Sequence, residues 1–219
     1  MSSIANPRTD LQWVEHQFDR VAWSYPFFER LFLVPRRARD LAVERLQAGS
    51  GQCILSIGCG RGSMLPAISA QVGVHGEVHG LDLSVRMLQA AERTARQHDL
   101  KNIRLTRTDL HRYSPAEPYH SVLFGFSLSS FADPDIALQH AWSFLRPGGR
   151  LVVLDARIPP PMERITRPFL PAIRWFMEQT VLGDPDMRPL VALEQLGAPV
   201  ALNTMRWGTY FVATVQKPE

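Results

Sequence analysis

Residues 55–62 read Leu-Ser-Ile-Gly-Cys-Gly-Arg-Gly. Three glycines at alternate positions follow the apolar run QCILSI (52–57) and precede residues of helical pattern from Ser63. Fixing glycine costs more conformational entropy than fixing any other residue, so such a cluster marks a place where a Cβ would be in the way. A tight turn, close helix packing and a ligand against bare backbone each create that need. A strand that ends in such a turn and opens a helix begins a strand–helix–strand unit, the building block of parallel sheets.

The unit repeats along the chain. Strands are predicted at 52–57, 76–83, 102–109, 120–127 and 150–156. Helices are predicted at 63–72, at 84–100 behind a Ser84 N-cap, and at 133–149 behind Asp133, stopping at Pro147-Gly148-Gly149. Five strands alternating with helices imply a parallel sheet covered on both faces. Residues 10–48 read as helical pieces broken near Pro26 and Pro35. The first groups Leu11, Val14, Phe18, Val21 and Ala22 on one face, and the last groups Ala38, Leu41, Ala42, Arg45 and Leu46. Seven of the 17 prolines fall between Pro159 and Pro189, around a short amphipathic stretch, FLPAIRWFMEQTVL. RPLVALEQLG reads as a helix closed by Gly197. PVALNTMRWGTYFVATVQKP reads as two antiparallel strands joined through Arg206-Trp207-Gly208 at the sheet edge.

Composition narrows the class. At 219 residues the chain suits one large domain. No apolar run reaches the roughly 18 residues of a membrane span, and MSSIANPRTDLQW lacks the basic-then-apolar order of a signal peptide. The two cysteines, Cys53 and Cys59, fall in a strand and in the glycine turn, which suits reduced thiols in a cytoplasm. They leave no second pair for zinc. His75 and His79 lie among strand glycines, as surface or cross-sheet residues, and no metal is expected. The net charge of +3 is carried mostly by arginine; it fits a mildly basic protein, with peripheral contact to an anionic membrane as the sharper reading. No dense basic run with interleaved aromatics points to nucleic acid.

The glycine turn falls at the carboxyl edge of the expected sheet, where such folds bind ligands. Asp82 stands twenty residues after Gly62 at the end of the second strand, a place from which a carboxylate accepts both hydroxyls of a ribose. Dinucleotide sites favour G-x-G-x-x-G, with a pyrophosphate at the helix N-terminus. Here the spacing is G-x-G-x-G, and Ser63 stands where the third glycine belongs. That points to a nucleoside ligand without phosphate, and S-adenosyl-L-methionine fits.

CILSIGCGRGSML, VHGLDLSVRMLQAA, RLTRTDL and FLRPGGRLVVLD resemble successive motifs of class I S-adenosylmethionine-dependent methyltransferases, over residues 50–156. FDRVAWSYPFFERLF, GFSLSSFADP and WGTYFVATVQKP are similar to segments of the quinone C-methyltransferase and bacterial phospholipid N-methyltransferase group. The resemblance implies an α/β fold: a doubly wound, Rossmann-like, seven-stranded sheet, mostly parallel with an antiparallel C-terminal strand. It implies one domain over 1–219, with a helical N-terminal cap (1–48), a cofactor-binding core (49–156), a substrate-cap insertion (157–190) and a C-terminal helix end with edge strands (191–219).

By the same resemblance Gly58, Gly60 and Gly62 line the methionine portion, with Cys59 in their loop. Asp82 binds the ribose, Leu83 and Met87 flank the adenine, and Asp109 with Leu110 meets its amino edge. Gly125 and Phe126 sit near the sulfonium, and Tyr25 belongs to a lid. Ser56 stands where the family usually has an acid that holds the cofactor's amino group; a serine hydrogen-bonds there without charge. Pro26 follows Tyr25 where the family's lid usually has aspartate.

A sulfonium methyl is already activated, so alignment at about 3 Å and exclusion of water matter more than a nucleophile–base pair. Proton acceptors by type and place are His16, Tyr25, His111 and Asp155, with Tyr25 and His16 as the catalytic candidates. Trp13, Trp23, Tyr25, Phe27, Phe169, Trp175, Phe176 and Met177 are available to a pocket for an apolar acceptor or a cationic head. The helix carrying Arg164, Arg167, Arg174 and Trp175 suits a lipid interface. The leading expectation is methyl transfer to a small molecule or lipid, first a phosphatidylethanolamine-type amine. The alternatives are a quinone or secondary-metabolite C- or O-methyltransferase, and a cyclase or non-catalytic protein that binds the same cofactor. The oligomeric state is left open.

Overall fold

A computed structural model of the chain describes residues 11–21, 35–157, 167–169 and 189–219. The sheet grows outward from β1 (Cys53–Ile57), which is buried from Ile54 on. β2 (Glu77–Asp82) and β4 (Tyr119–Gly125) pair with it in parallel on either side. Beyond β2 lies β3 (Ile103–Arg107), and beyond β4 lies β5 (Leu145–Ala156), both again parallel. The last two strands, β6 (Val200–Met205) and β7 (Tyr210–Gln216), form a hairpin. β7 inserts against β5, antiparallel to it, so the order is β3-β2-β1-β4-β5-β7-β6.

Strand side chains alternate between two apolar layers, so both faces must be covered. Leu55, Ile57, Phe124 and Val153 face one way, against Ala137, Leu138 and Ala141 of α5 (Pro134–Ser143) and Ala192 and Leu193 of α6 (Pro189–Glu194). Ile54, Leu123, Val152 and Val212 face the other. There they meet Ala38 and Ala42 of α2 (Arg36–Arg45), Leu65, Ile68 and Val72 of α3 (Leu65–Val72) and Ala91 of α4 (Val85–Gln97). Small residues on α2 let that helix lie close to the sheet.

The caps read from the sequence form. Ser84 Oγ accepts the Met87 N–H at 3.1 Å, and Asp133 Oδ1 accepts the N–H groups of Asp135 and Ile136. One boundary differs in kind: the helix expected to stop at Pro147-Gly148-Gly149 ends at Ser143, and β5 already starts at Leu145. Leu145 pairs with Tyr119, and the register then shifts before Ser121 pairs with Arg150. Pro147-Gly148-Gly149 is absorbed as a bulge inside the strand, with Gly148 at φ +71. A Cβ on Gly149 would lie 2.9 Å from the Arg146 carbonyl and 3.1 Å from that of His120. The segments 22–34, 158–166 and 170–188 lie outside the described residues, and with them Trp23, Tyr25, Phe27, Trp175, Phe176 and Met177.

α1 (Leu11–Val21) is fastened over the start of α4. Asp19 Oδ1 accepts from the Ser84 hydroxyl and the Arg86 N–H, and Glu15 pairs with Arg107. Both cysteines are free thiols. His79 is a buried cross-sheet histidine: Nδ1 meets Tyr119 Oη at 2.7 Å and Nε2 meets Thr106 Oγ1 at 2.8 Å.

Burial, aided by Arg104, pushes His79 down from 6.5 to about 4. Between those values the unfolded chain binds a proton that the folded ring refuses, so this contribution is complete above pH 6.5 and is lost as pH falls toward 4. His79→Gln is expected to be less stable than the wild type at neutral pH, with the gap narrowing on acidification. Urea unfolding across that range checks it; a gap that stays constant would show that the ring is not held neutral.

Candidate functional site

The turn after β1 carries Gly58, Gly60 and Gly62 at φ +61, +55 and +76, all in the left-handed region that glycine tolerates best. The three have different neighbours. A Cβ on Gly58 would lie 2.5 Å from Ser127 Cβ, on the residue whose hydroxyl donates to the Ile57 carbonyl at 2.6 Å. A Cβ on Gly62 would lie 2.8 Å from Leu65 Cδ1 and 3.2 Å from Ala91 Cα. A Cβ on Gly60 would meet nothing within 4 Å. Gly60 faces open space.

That space is a cavity of about 440 Å³ along the carboxyl edge, within the roughly 300–1,000 Å³ usual for small-molecule sites. Its wall follows the strand order. Thr108, Asp109 and Leu110 come from the end of β3, and Asp82 and Leu83 from the end of β2, with Met87 from α4. Gly58, Cys59 and Gly60 follow from β1, and Gly125 and Phe126 from the end of β4. Val14 and Phe18 of α1 and Arg39 of α2 complete it from the N-terminal side.

Asp82 organises this edge. Its Oδ2 accepts the Gly60 N–H at 2.8 Å and its Oδ1 accepts the Ser84 N–H at 2.9 Å. Burial pushes its carboxyl up to about 6, against the pull of those N–H groups, and Asp19 adds to the rise. The Leu83 N–H adds a third, smaller pull; a carboxylate offers about four lone-pair sites, so capacity for a further donor remains. Beside it, Leu83, Met87 and Leu110 supply an apolar slot for a flat ring. Together with the open face of Gly60, these residues fit an adenosyl group.

At the β4 end, Gly125 makes room for Met64, whose Cε would lie 2.0 Å from a Cβ there. Phe126 is held at φ 57, with its N–H on the Leu154 carbonyl at 2.7 Å and its ring edge-on to Tyr210. The Arg39 guanidinium carbon stands 5.8 Å from the centre of that ring. Cys59 packs its sulfur toward Gly80, and burial, then the Asp82 charge, push its thiol well above the usual range.

Gly58, Cys59, Gly60, Asp82, Leu83, Met87, Asp109, Leu110, Gly125 and Phe126 are thus brought together on one cavity. Two expected members are not. Ser56 is buried inside β1 opposite Gly80 and Leu123, with its side chain off the cavity wall, and Gly62 is taken up by packing against α4. His16 is exposed on α1 and absent from the wall, and Tyr25 lies outside the described residues. Asp155 accepts the Ser129 N–H at 3.0 Å and its hydroxyl at 3.1 Å; burial pushes it up to about 6, and it fixes the turn after β4 from behind. Of the four candidate proton acceptors, His111 lines the cavity, on the Asp109 side. Trp13 is half-buried on α1, and Phe169 is exposed. Arg39, Phe18 and Met64 were not singled out by sequence as site residues, because the first two carry ordinary amphipathic helix spacing and Met64 reads as an apolar residue at the helix entry. Among the described residues no group of three or more His, Cys, Asp or Glu side chains is placed to hold a metal ion.

Residues 55–151 match the family described as Methyltransferase domain. The demethylmenaquinone methyltransferase of Geobacillus sp. (strain WCH70) is 28% identical over 149 residues, 67% of this chain and 64% of that protein. The chain therefore spans less than two thirds of that relative's length. Aklanonic acid methyltransferase DauC of Streptomyces sp. (strain C5) is 31% identical over 161 residues, 72% of this chain and 70% of that one. In fold, the chain is similar to a SAM dependent methyltransferase from Aquifex aeolicus, with a TM-score of 0.59 at 18% identity over 94% of this chain and 98% of that one.

The unequal duties of the glycines have separable consequences. Gly62→Ala is expected to cost about 2–4 kcal/mol, from a left-handed alanine plus overpacking against α4. Gly60→Ala is expected to cost only about 1 kcal/mol, yet to weaken S-adenosylhomocysteine binding roughly tenfold or more as its methyl enters the cavity. Thermal melts and calorimetry check this; equal losses of stability, or full affinity in Gly60→Ala, would undo the division.

Proposed function

The chain belongs to the class I S-adenosyl-L-methionine-dependent methyltransferases, and from that premise we propose that it methylates a quinone or a related secondary-metabolite acceptor. The observation that carries the reading is the graded wall of the carboxyl-edge cavity. Its carboxylates, Asp82 and Asp109, lie at the β2 and β3 ends, and its β4 end, with Phe126, Phe131, Ser127 and Ser130, carries an arginine and no acid among the described lining residues.

When bound, the cofactor supplies an electrophilic methyl group on a sulfonium. Asp82 accepts the ribose hydroxyls on the lone pairs that Gly60 and Ser84 leave. Leu83 and Met87 enclose the adenine, and Asp109 with Leu110 closes its amino edge. Gly60 admits the chain that leads to the sulfur, and Gly125 and Phe126 form the floor beneath it. Val14 and Phe18 roof the cavity from α1 and exclude water, which strengthens each polar contact inside.

The acceptor reading follows from the β4 end. An amine must lose its proton before it attacks, and a nearby base or carboxylate assists that. The described wall there offers a cation instead, which suits a neutral or anionic planar acceptor attacking through carbon or oxygen. The relatives named for demethylmenaquinone and aklanonic acid support this choice. Phosphatidylethanolamine-type N-methylation, the first expectation from sequence, draws no such support. Peripheral contact with an anionic membrane keeps one physical basis: Trp207, at the β6–β7 tip by the carboxyl edge, is 88% exposed. No described helix is long and apolar enough to cross a membrane.

Incubation with the cofactor and a demethylated quinone is expected to yield S-adenosylhomocysteine and an acceptor gaining one methyl group, read by mass spectrometry. Methylthioadenosine as the product would turn the reading to cyclisation, and turnover with phosphatidylethanolamine alone would return it to the lipid headgroup.

Asp82 also sets a pH dependence. The ligand's hydroxyls donate to the ionised carboxylate, so affinity is complete above the raised value of about 6 and is lost as pH falls through it. Well below that point the loss approaches roughly tenfold per pH unit, as for any single linked proton. Asp82→Asn is expected to bind S-adenosylhomocysteine weakly and with a flat profile. A wild-type affinity unchanged between pH 7 and 5 would remove Asp82 from the site.

A further inference from the structure

We propose that the tip of the β6–β7 hairpin docks the protein on an anionic phospholipid surface, with Trp207 entering the headgroup layer and the arginines around it facing the lipid phosphates. The inference goes beyond the acceptor reading: it concerns a partner of the carboxyl edge, and it holds for any acceptor.

The backbone of the tip supplies the first step. Met205 pairs with Tyr210, so residues 206–209 close the hairpin. Arg206 stands at φ 49 and Trp207 at φ 58, ψ 22, two successive left-handed residues, with Gly208 at φ 92 behind them. A left-handed pair suits the twist of a hairpin, and Asn-Gly adopts it with little strain. A tryptophan in that conformation is strained, and Trp207 is 88% exposed as well. The surroundings hold the strain in place. Thr209 donates its N–H and its hydroxyl to the Arg206 carbonyl, at 3.1 and 2.9 Å. Arg157 donates its N–H to the Thr209 carbonyl at 2.8 Å and its Nε–H to the Gly208 carbonyl at 3.2 Å. Strain kept by such a clamp points to a functional position. The core gains nothing from an indole in solvent, so what the ring contributes lies outside the chain.

Charge selects the partner. Tyr210, the first residue of β7, pairs with Ala156 at the end of β5, so the tip lies at the carboxyl edge. Tyr210 also meets Phe126 edge-on, and Phe126 faces Arg39 of α2, which makes the first turn of α2 a neighbour of the hairpin base. That turn exposes Arg36 and Arg37. Arg206 is exposed beside Trp207, and Arg157 is half-buried beneath it. Among the described residues the acids near this corner are Asp155, buried and turned to Ser129, and Asp40, one turn further along α2. An amphipathic indole settles at headgroup level, and cations beside it are drawn to anionic lipid. A stable protein interface buries roughly 800 Å² per partner, whereas the tip presents one ring.

Docking in this way has a consequence for the cavity. Phe126 both lines the cavity and touches Tyr210 behind the tip. The β4 end of the cavity therefore lies on the side of the carboxyl edge that the tip brings to the bilayer, and a lipid-dissolved acceptor has its shortest passage through water at that end.

Flotation of the full chain with vesicles of equal parts phosphatidylcholine and phosphatidylglycerol tests this, at low and at high salt. The wild type is expected to bind these vesicles at low salt, to bind phosphatidylcholine alone roughly tenfold less, and to be released as salt screens the arginines. The double variant Arg206→Asn/Trp207→Gly supplies the turn pair that the backbone prefers. It is expected to melt at or above the wild-type temperature, yet to bind the mixed vesicles roughly tenfold or more weakly. Arg36→Gln/Arg37→Gln keeps the tip and is expected to lose about tenfold of the same affinity. Both variants are expected to bind S-adenosylhomocysteine within about twofold of wild type. A wild type that binds vesicles but not S-adenosylhomocysteine would strike the methyltransferase reading and leave the docking standing. A wild type that stays off the mixed vesicles at low salt, equal binding to neutral vesicles, or a double variant that floats as the wild type does overturns the docking. So does a concentration-dependent dimer, formed without vesicles and abolished in the double variant, which would give the tip to a second copy of the chain.

Discussion

The carboxylate of Asp82 is the interaction on which the site depends. It joins the turn after β1 to the first turn of α4, through one hydrogen bond to Gly60 and one to Ser84. Without it, the left-handed backbone at Gly60 would have an N–H pointing at an open cavity. Three backbone N–H groups, those of Ser84, Gly60 and Leu83, favour the charged form. Burial opposes them and wins, leaving the group near 6. A carboxylate balanced in this way holds the protein together and still has acceptor capacity to offer a ligand, which a fully satisfied one would lack. Its partner turn can be so bare because the other two glycines absorb the crowding: Gly58 yields to Ser127 and Gly62 to Ala91.

The same group connects the core to its cover. Ser84, which donates its backbone N–H to Asp82, donates its hydroxyl to Asp19 on α1 while accepting the Met87 N–H. The start of α4 therefore carries two carboxylates, one from the sheet and one from the covering helix. Asp19 raises Asp82 by repulsion, so seating α1 strengthens the water-excluded state and also brings Asp82 nearer to protonation. Cover and Asp82 are thus coupled through one serine.

Much of this was legible in the residues. The strand–helix alternation, the caps at Ser84 and Asp133, and the pairing of a glycine turn with Asp82 are local patterns, and each is realised. What escaped had a physical reason in each case. Pro147-Gly148-Gly149 has the composition of a helix stop, but a strand edge with a bulge uses the same residues, and only the pairing of Leu145 with Tyr119 distinguishes the two. Gly62 looks identical to Gly60 in sequence, since the difference lies in α4, which comes some thirty residues later. Arg39 reads as the polar side of an amphipathic helix until the packing of Ala38 and Ala42 turns it toward the cavity. Asp155 has the type of a proton acceptor, but Ser129 occupies it.

The distribution of charge then constrains what the site can do. A sulfonium is a cation, and its methyl becomes transferable as positive charge drains from sulfur toward the acceptor. In the proposed pose Asp82 and Asp109 lie at the nucleoside end, where they would hold hydroxyl and amino groups and leave the field near sulfur to Phe126 and the strand-end carbonyls. A carboxylate directly beneath the sulfur would stabilise the charged ground state more than the transition state and so slow the step. The acid-poor wall at Gly125 and Phe126 is therefore consistent with a site that relies on alignment and dryness. It also explains why a nucleophile–base pair is dispensable here: the leaving group is neutral once the methyl departs, and the acceptor's proton can be lost outside the crowded end of the cavity.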